Sequence, residues 1–126
     1  MLPLQGLTVL DLGAVLMAPY AGQWLGDLGA DVIKVEPPAG DATRRTGPRA
    51  EPDMASVYLG LNRNKRSIVL DLKTEPAREA LLVLIDRADV LLHNNRPQKM
   101  KALGLDPETV LRRNPRIVYA CLHGFG

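Results

Sequence analysis

The strongest constraint on this chain is a repeated change of period. Short, continuous apolar runs recur along it, and between them lie stretches whose apolar residues return at helical spacing. LTVLDLG (7–13), DVIKVEP (31–37), SIVLDLK (67–73), DVLLH (89–93) and RIVYACL (116–122) each read as a strand covered on both faces. Pro19 opens a helix that runs through Ala21, Leu25 and Leu28 to the stop at Gly29. Thr74 caps a second helix, with Pro76 inside its first turn, that continues to Ala88. Its circumference is apolar enough to predict contact with a sheet and with something further. Asp106-Pro107 begins another helix, which Asn114-Pro115 ends. Residues 37–52, rich in Pro, Gly, Arg and Asp, read as a long loop, and residues 56–61 as a short separate segment. NNRP, after His93, reads as a polar turn.

Strands alternating with helices predict an α/β, Rossmann-like fold: a mostly parallel sheet of about five strands, helices on both faces, right-handed crossovers. A length of 126 residues suits one such unit, and neither a repeat nor a linker divides residues 1–126. A lone Cys121 makes no internal disulfide, so a reducing, cytoplasmic setting is expected, and no apolar run is long enough to span a membrane. Ligands of such sheets bind beyond the carboxyl ends of the strands. Those ends carry Asp11 to Ala14, Glu36-Pro37, Asp71, His93 to Arg96, and the terminal His123-Gly-Phe-Gly126, which are the polar and glycine residues the strands lack.

Several chemistries are disfavoured by what these ends contain. DLGAVLMAP has only Gly13 of the three glycines of a dinucleotide fingerprint, and no GxxxxGK[ST] phosphate loop is present. His93 and His123 have no carboxylate or cysteine at metal-ligand spacing, so no metal is expected. Cys121, inside a strand, reads as core rather than nucleophile, and His123 as a hydrogen-bonded structural histidine. With aromatic residues at 4%, base-stacking platforms for nucleic acid are not expected. The net charge of +2 is less informative than its distribution: Arg44, Arg45, Arg49, Arg63, Lys65 and Arg66 face only Glu51 and Asp53 over the same span. NRNKRS (62–67), read as lying immediately before a strand, offers two amides and three cations. It suits either phosphate contact or structural ion pairing.

These residues carry a resemblance. LPLQGLTVLDLG, GQWLGDLGADVIKVEPPAGDATR, LNRNKRSIVLDLK, ADVLLHNNRPQKMKALGLD and NPRIVYACLHGFG, in this order, are similar to the N-terminal part of the class III CoA-transferases. That family includes formyl-CoA transferase, carnitine CoA-transferase, bile-acid-inducible protein F and, as a close branch, α-methylacyl-CoA racemase. The resemblance implies the partial, N-terminal half of the family's large domain, which holds coenzyme A, as acyl-CoA substrate, along the strand carboxyl ends. By position it implies that Ala14, Leu16 and Met17 of the first turn face the cofactor. It assigns Pro37, Leu61, Asn62, Lys65 and Arg66 to the same site, with Asn94, Asn95 and Arg96 after the fourth strand. Residues 99–102, with Lys101, are implied near the phosphorylated adenosine end.

Departures from the family pattern are visible as well. Asn95 stands where relatives often have Phe, Ala102 where an Arg is common before Leu-Gly, and Ala14 and Leu16 where some carry His or Gln. Transferases of the family use an aspartate that attacks the acyl-CoA thioester. The resulting mixed anhydride is opened by the thiolate to an aspartyl-CoA thioester, and a small acceptor acid reverses the sequence. The racemase branch moves the α-proton with a His and Asp pair. In both, these residues follow the Gly-Phe-Gly turn, and Asp11, Asp41 and Asp71 read as structural. The resemblance therefore implies the CoA-binding portion of a longer enzyme, with interlocked homodimers in the family, and the 126 residues alone are expected to be inactive and able to self-associate. A CoA-binding or interaction module without catalysis, and the same portion of a racemase-type enzyme, are the alternatives.

Overall fold

The structure, a computed structural model, describes residues 1–125, so Gly126 of the terminal turn lies outside the described residues. Five strands form one sheet: β1 (Thr8–Asp11), β2 (Asp31–Glu36), β3 (Lys65–Val69), β4 (Val90–His93) and β5 (Val118–Cys121). They lie in the order β3-β2-β1-β4-β5 with every pairing parallel, which is the Rossmann order and the predicted fold class. Helices α1 (Met17–Asp27), α2 (Ser56–Leu61), α3 (Glu75–Ile85), α4 (Pro97–Ala102) and α5 (Pro107–Arg113) complete the unit.

Strand alternation gives the sheet two unlike faces. Leu10, Val35 and Leu91 point one way, into a core with Leu81 and Ile85 of α3, Met100 of α4 and Val110 of α5. Val9, Val32 and Leu92 point the other way, against Ala18 and the partly buried Ala21 and Leu25 of α1. On this second face the register sets Asp11 beside Lys34, and Lys34 beside Ser67. Apolar at its start, the face ends in buried charges toward the carboxyl edge.

Four sequence expectations need correction. The third strand covers Lys65–Val69 rather than 67–73, so Lys65 and Arg66 lie within it, not before it. Lys65 and Ser67 find partners on the polar face, in Asp11 and Glu36, which draws the strand toward its polar end. Asp71 consequently sits in the following turn, where its carboxylate accepts the Lys73 N–H. NNRP is not only a turn: Pro97 starts the short helix α4, anchored by the fully buried Met100. Cys121 is exposed rather than core, because β5 is an edge strand and both its end residues, Val118 and Cys121, are exposed. The first helix also begins at Met17, two residues ahead of Pro19.

Candidate functional site

Strand order reverses direction between β1 and β4, the point where α/β sheets leave a crevice beyond their carboxyl ends. The chain leaving β1 is held there by buried polar groups. Asp11 is fully buried; its Oδ1 accepts the Gly13 N–H at 2.8 Å and its Oδ2 accepts Lys65 Nζ at 2.8 Å. A Cβ at Gly13 would meet the Ala18 Cβ at 2.4 Å and Pro19 Cδ at 2.9 Å, so the close seat of α1 requires glycine here. Lys34, fully buried in β2, donates to the Gly13 carbonyl at 3.0 Å and pairs with Asp41 at 3.0 Å. Burial alone would raise the Asp41 carboxyl. The Thr43 backbone and hydroxyl, with Lys34, bring it below the ordinary range instead.

Glu36, at the end of β2, organises the long loop. It accepts the Asp41 N–H at 2.8 Å, Arg44 Nη2 at 2.6 Å, the Tyr58 hydroxyl at 2.9 Å and the Ser67 hydroxyl at 2.8 Å. Burial pushes its pKa upward, yet these donors, Arg44 first, bring it to about 2. The Arg44 guanidinium also stacks 3.8 Å above the Tyr58 ring. Residues 37–52 are therefore pinned at their base, with a short 3₁₀ turn at Ala42–Arg45.

Between these ends lies a cavity of ≈ 400 Å³. Leu12, Val35, Pro37, Leu70, Met100 and Leu103 give it an apolar wall. Asp71, Lys73, Asn95 and Lys99 are its polar members on the α3 and α4 sides, and the ion-paired Lys34, Glu36 and Asp41 line it on the β2 side. Of the residues singled out in the sequence, Ala14, Pro37 and Asn95 line it, as do Lys99 and Ala102. Leu16 and Met17 are exposed where α1 begins, and Arg96 and Lys101 are exposed on α4's flank. Asn94 grips Ala14 through both ends of its amide, at 2.9 Å each way. Asn95 donates to the Leu12 carbonyl at 3.0 Å.

Leu61, Asn62, Lys65 and Arg66 do not line this cavity. Lys65 is buried and donates to Asp11, the Pro19 carbonyl and Asn62; burial lowers its pKa against the raising effect of Asp11. Arg63 pairs with Asp27 at 2.7 Å and Arg66 with Asp31 at 2.5 Å, both exposed pairs of the kind that exchange readily. The basic span from 44 to 66 thus carries structural partners that sequence reasoning missed, because Asp11, Asp27, Asp31 and Glu36 lie outside it. One signal was available: Lys34 inside the apolar run DVIKVE demands a buried counter-charge.

His93 is almost fully buried, with the Asn95 N–H donating to its Nδ1 at 3.1 Å. Its Nε2 lies 2.9 Å from the Tyr119 hydroxyl, which itself donates to the Leu105 carbonyl at 2.7 Å. That hydroxyl proton is committed, so His93 Nε2 must carry a proton and Nδ1 must accept, fixing one neutral tautomer. His123 lies beside the thiol, Nε2 to Cys121 Sγ being 2.9 Å. Among the described residues, no group of three or more His, Cys, Asp or Glu is placed to hold a metal ion.

The pattern that defines CoA-transferase family III matches residues 4–126. A Mycobacterium tuberculosis protein described as a "Probable fatty acyl-CoA transferase" is 45% identical over 126 residues, covering 98% of this chain and 32% of its own length. A formyl-CoA:oxalate CoA-transferase of Streptomyces avermitilis is 47% identical over 124 residues, covering 98% and 30%. The crystal structure of a CAIB/BAIF family protein from Brucella suis superposes with a TM-score of 0.93 at 43% identity, over 99% of this chain and 34% of that one. The chain spans about a third of the length of these relatives.

Proposed function

Because the chain belongs to CoA-transferase family III, we propose that its cavity takes the CoA portion of an acyl-CoA. On this reading, residues 1–126 are the CoA-binding part of an enzyme that moves CoA from an acyl-CoA to a small carboxylic acid. The observation that carries the reading is where the cavity lies and what lines it. A ≈ 400 Å³ apolar cleft at the strand carboxyl ends, with Lys73 and Lys99 among its lining residues, matches an amphipathic ligand with an apolar arm and phosphates. Ala14, Pro37, Asn95 and Lys99 meet the ligand, while Arg96 and Lys101 stand exposed nearby for its phosphates. Exposed Arg66 gives up Asp31 only if the ligand reaches β3, and buried Lys65 stays with Asp11.

The acyl exchange itself runs through an aspartyl relay. An aspartate carboxylate attacks the thioester and expels CoA thiolate to give an acyl-aspartyl anhydride. The thiolate attacks the aspartyl carbonyl and releases the donor acid. The acceptor carboxylate then runs both steps in reverse, freeing the aspartate and leaving as the new acyl-CoA. Asp11 and Asp41 are buried and ion-paired, and Asp71 holds a turn, so none of them is the nucleophile. The 126 residues alone bind CoA without turning it over. The matched relatives are named as transferases for formyl-CoA with oxalate, for succinyl-CoA with glutarate and for fatty acyl-CoA, so an acyl-CoA donor is what they share.

Isothermal titration with CoA tests the binding claim. Saturable heat is expected, weaker in Lys99→Glu. A chain shown folded by circular dichroism that gives no heat at millimolar CoA would sink it. Acyl exchange by the 126 residues alone would overturn the assignment of the nucleophile elsewhere.

A further inference from the structure

Val15 is left-handed, at φ 64°, although it is β-branched and half exposed on the cavity's lip. A β-branched side chain there is a true backbone outlier, which survives only where its surroundings over-determine it. The surroundings here do so without any backbone–backbone hydrogen bond. Asp11 takes the Gly13 N–H and Lys34 the Gly13 carbonyl. Asn94 takes both the N–H and the carbonyl of Ala14, each at 2.9 Å. Asp41 Oδ2 takes the Val15 N–H at 3.2 Å. Three consecutive residues are therefore gripped by side chains from β1, β2, the long loop and the β4–α4 turn.

We infer that the 13–15 turn is a strained lip preset for the ligand of the cavity, and that Asn94, which does not line the cavity, is a positioning residue that acts through Val15 rather than by touching the ligand. The ligand's identity rests on the CoA reading above; the strained turn does not. With the grip released, Val15 relaxes to a right-handed conformation. The lip then moves, and apparent affinity falls by the fraction of molecules left in the competent form.

The test is a cycle of four proteins: the unchanged chain, Asn94→Ala, Val15→Gly and the pair. Glycine takes a positive φ freely, so the strain that Asn94 restrains is absent from the Val15→Gly background. With CoA as probe, Asn94→Ala should weaken binding about tenfold when Val15 is present, if a tenth of the molecules keep the competent turn. In the glycine background the same change should cost less than about threefold. An equal loss in both backgrounds would overturn the inference, because Asn94 would then be acting on the ligand directly. NMR supplies an arm independent of ligand. Val15 should show the strong intraresidue amide-to-α-proton cross-peak of a left-handed residue, and that signal should collapse in Asn94→Ala. Its persistence there would also overturn the inference. If the unchanged chain fails to bind CoA, the CoA reading falls and the NMR arm still decides the lip.

Discussion

Lys65 and Asp11 show how a charge becomes part of a core. Both side chains are at most 2% exposed, and together with Asn62 and the Pro19 carbonyl they leave no unmet polar atom, a condition that holds across the described residues. Such a pair contributes little net stability compared with an apolar replacement, but breaking it strands an ion in low dielectric. Lys65→Met should therefore cost about 3–5 kcal/mol, a large share of a small domain's stability, because the Asp11 carboxylate loses its counter-ion. Adding Asp11→Asn should restore much of that loss, since the amide oxygen still accepts the Gly13 N–H. Urea midpoints of the single and double variants measure both. A loss under about 1 kcal/mol for Lys65→Met would mean that water reaches Asp11.

At the level of elements, the seat of α1 on β1 depends on Gly13, and glycines elsewhere give a built-in contrast. Gly13→Ala forces its new methyl within 2.4 Å of Ala18, so overpacking should cost about 2 kcal/mol. Gly60, in α2, has nothing within 4 Å of its position, so Gly60→Ala should stabilise by about 0.5–1 kcal/mol through helix propensity. Thermal midpoints moving in opposite directions would bear this out; two losses would show that α2 is packed more tightly than its surroundings indicate. Element type was legible where period was strong. The strands up to β2 and the long helix α3 follow directly from their apolar spacing, with Thr74 and Pro76 marking the start of α3. It was illegible where tertiary partners decide. SIVLDLK looks like one aliphatic strand, yet Leu70 and Leu72 turn off the sheet to line the cavity while Lys65 joins it. The six residues of α4 are too few to show a period, and their anchor, Met100, is a single side chain. The candidate site was half visible for the same reason. Ala14, Pro37 and Asn95 stand at strand ends, which topology locates, whereas the Asn94 grip and the Lys65–Asp11 pair join residues distant in sequence.

For the whole molecule, the titrating groups that burial and hydrogen bonding have shifted bound a window of stability on both sides. Burial, reinforced by His123, lowers the His93 pKa, so acid puts a proton on the unfolded imidazole first. The unfolded state then binds more protons, and stability should begin to fall as pH drops below about 6.5. Glu36 sets the second step. Its folded pKa of about 2 lies below the ordinary 4.5, so its contribution is complete above about pH 4.5 and disappears as pH falls toward 2. That shift corresponds to roughly 3 kcal/mol, for a side chain 2% exposed, and Asp41 is lowered in the same direction. On the alkaline side, burial first, and nearby negative charge second, push Tyr58 and Tyr119 to about 12. Unfolded tyrosines ionise near 10, so stability should fall again above that value. Burial also raises the Cys121 thiol above its ordinary 9.0, so the plateau is expected between about pH 6.5 and 9, with a two-step descent into acid. The two steps have separate owners. His93→Gln should flatten the upper one and leave the lower. Glu36→Gln should shrink the lower one to what Asp41 and the other lowered carboxylates still contribute, at the cost of the Arg44 ion pair. Denaturant midpoints taken at half-unit intervals from pH 2 to 11 would resolve them. A single acid transition, unchanged by His93→Gln, would mean that the buried imidazole exchanges its proton without regard to Tyr119 and Asn95, and the fixed tautomer would have to be abandoned.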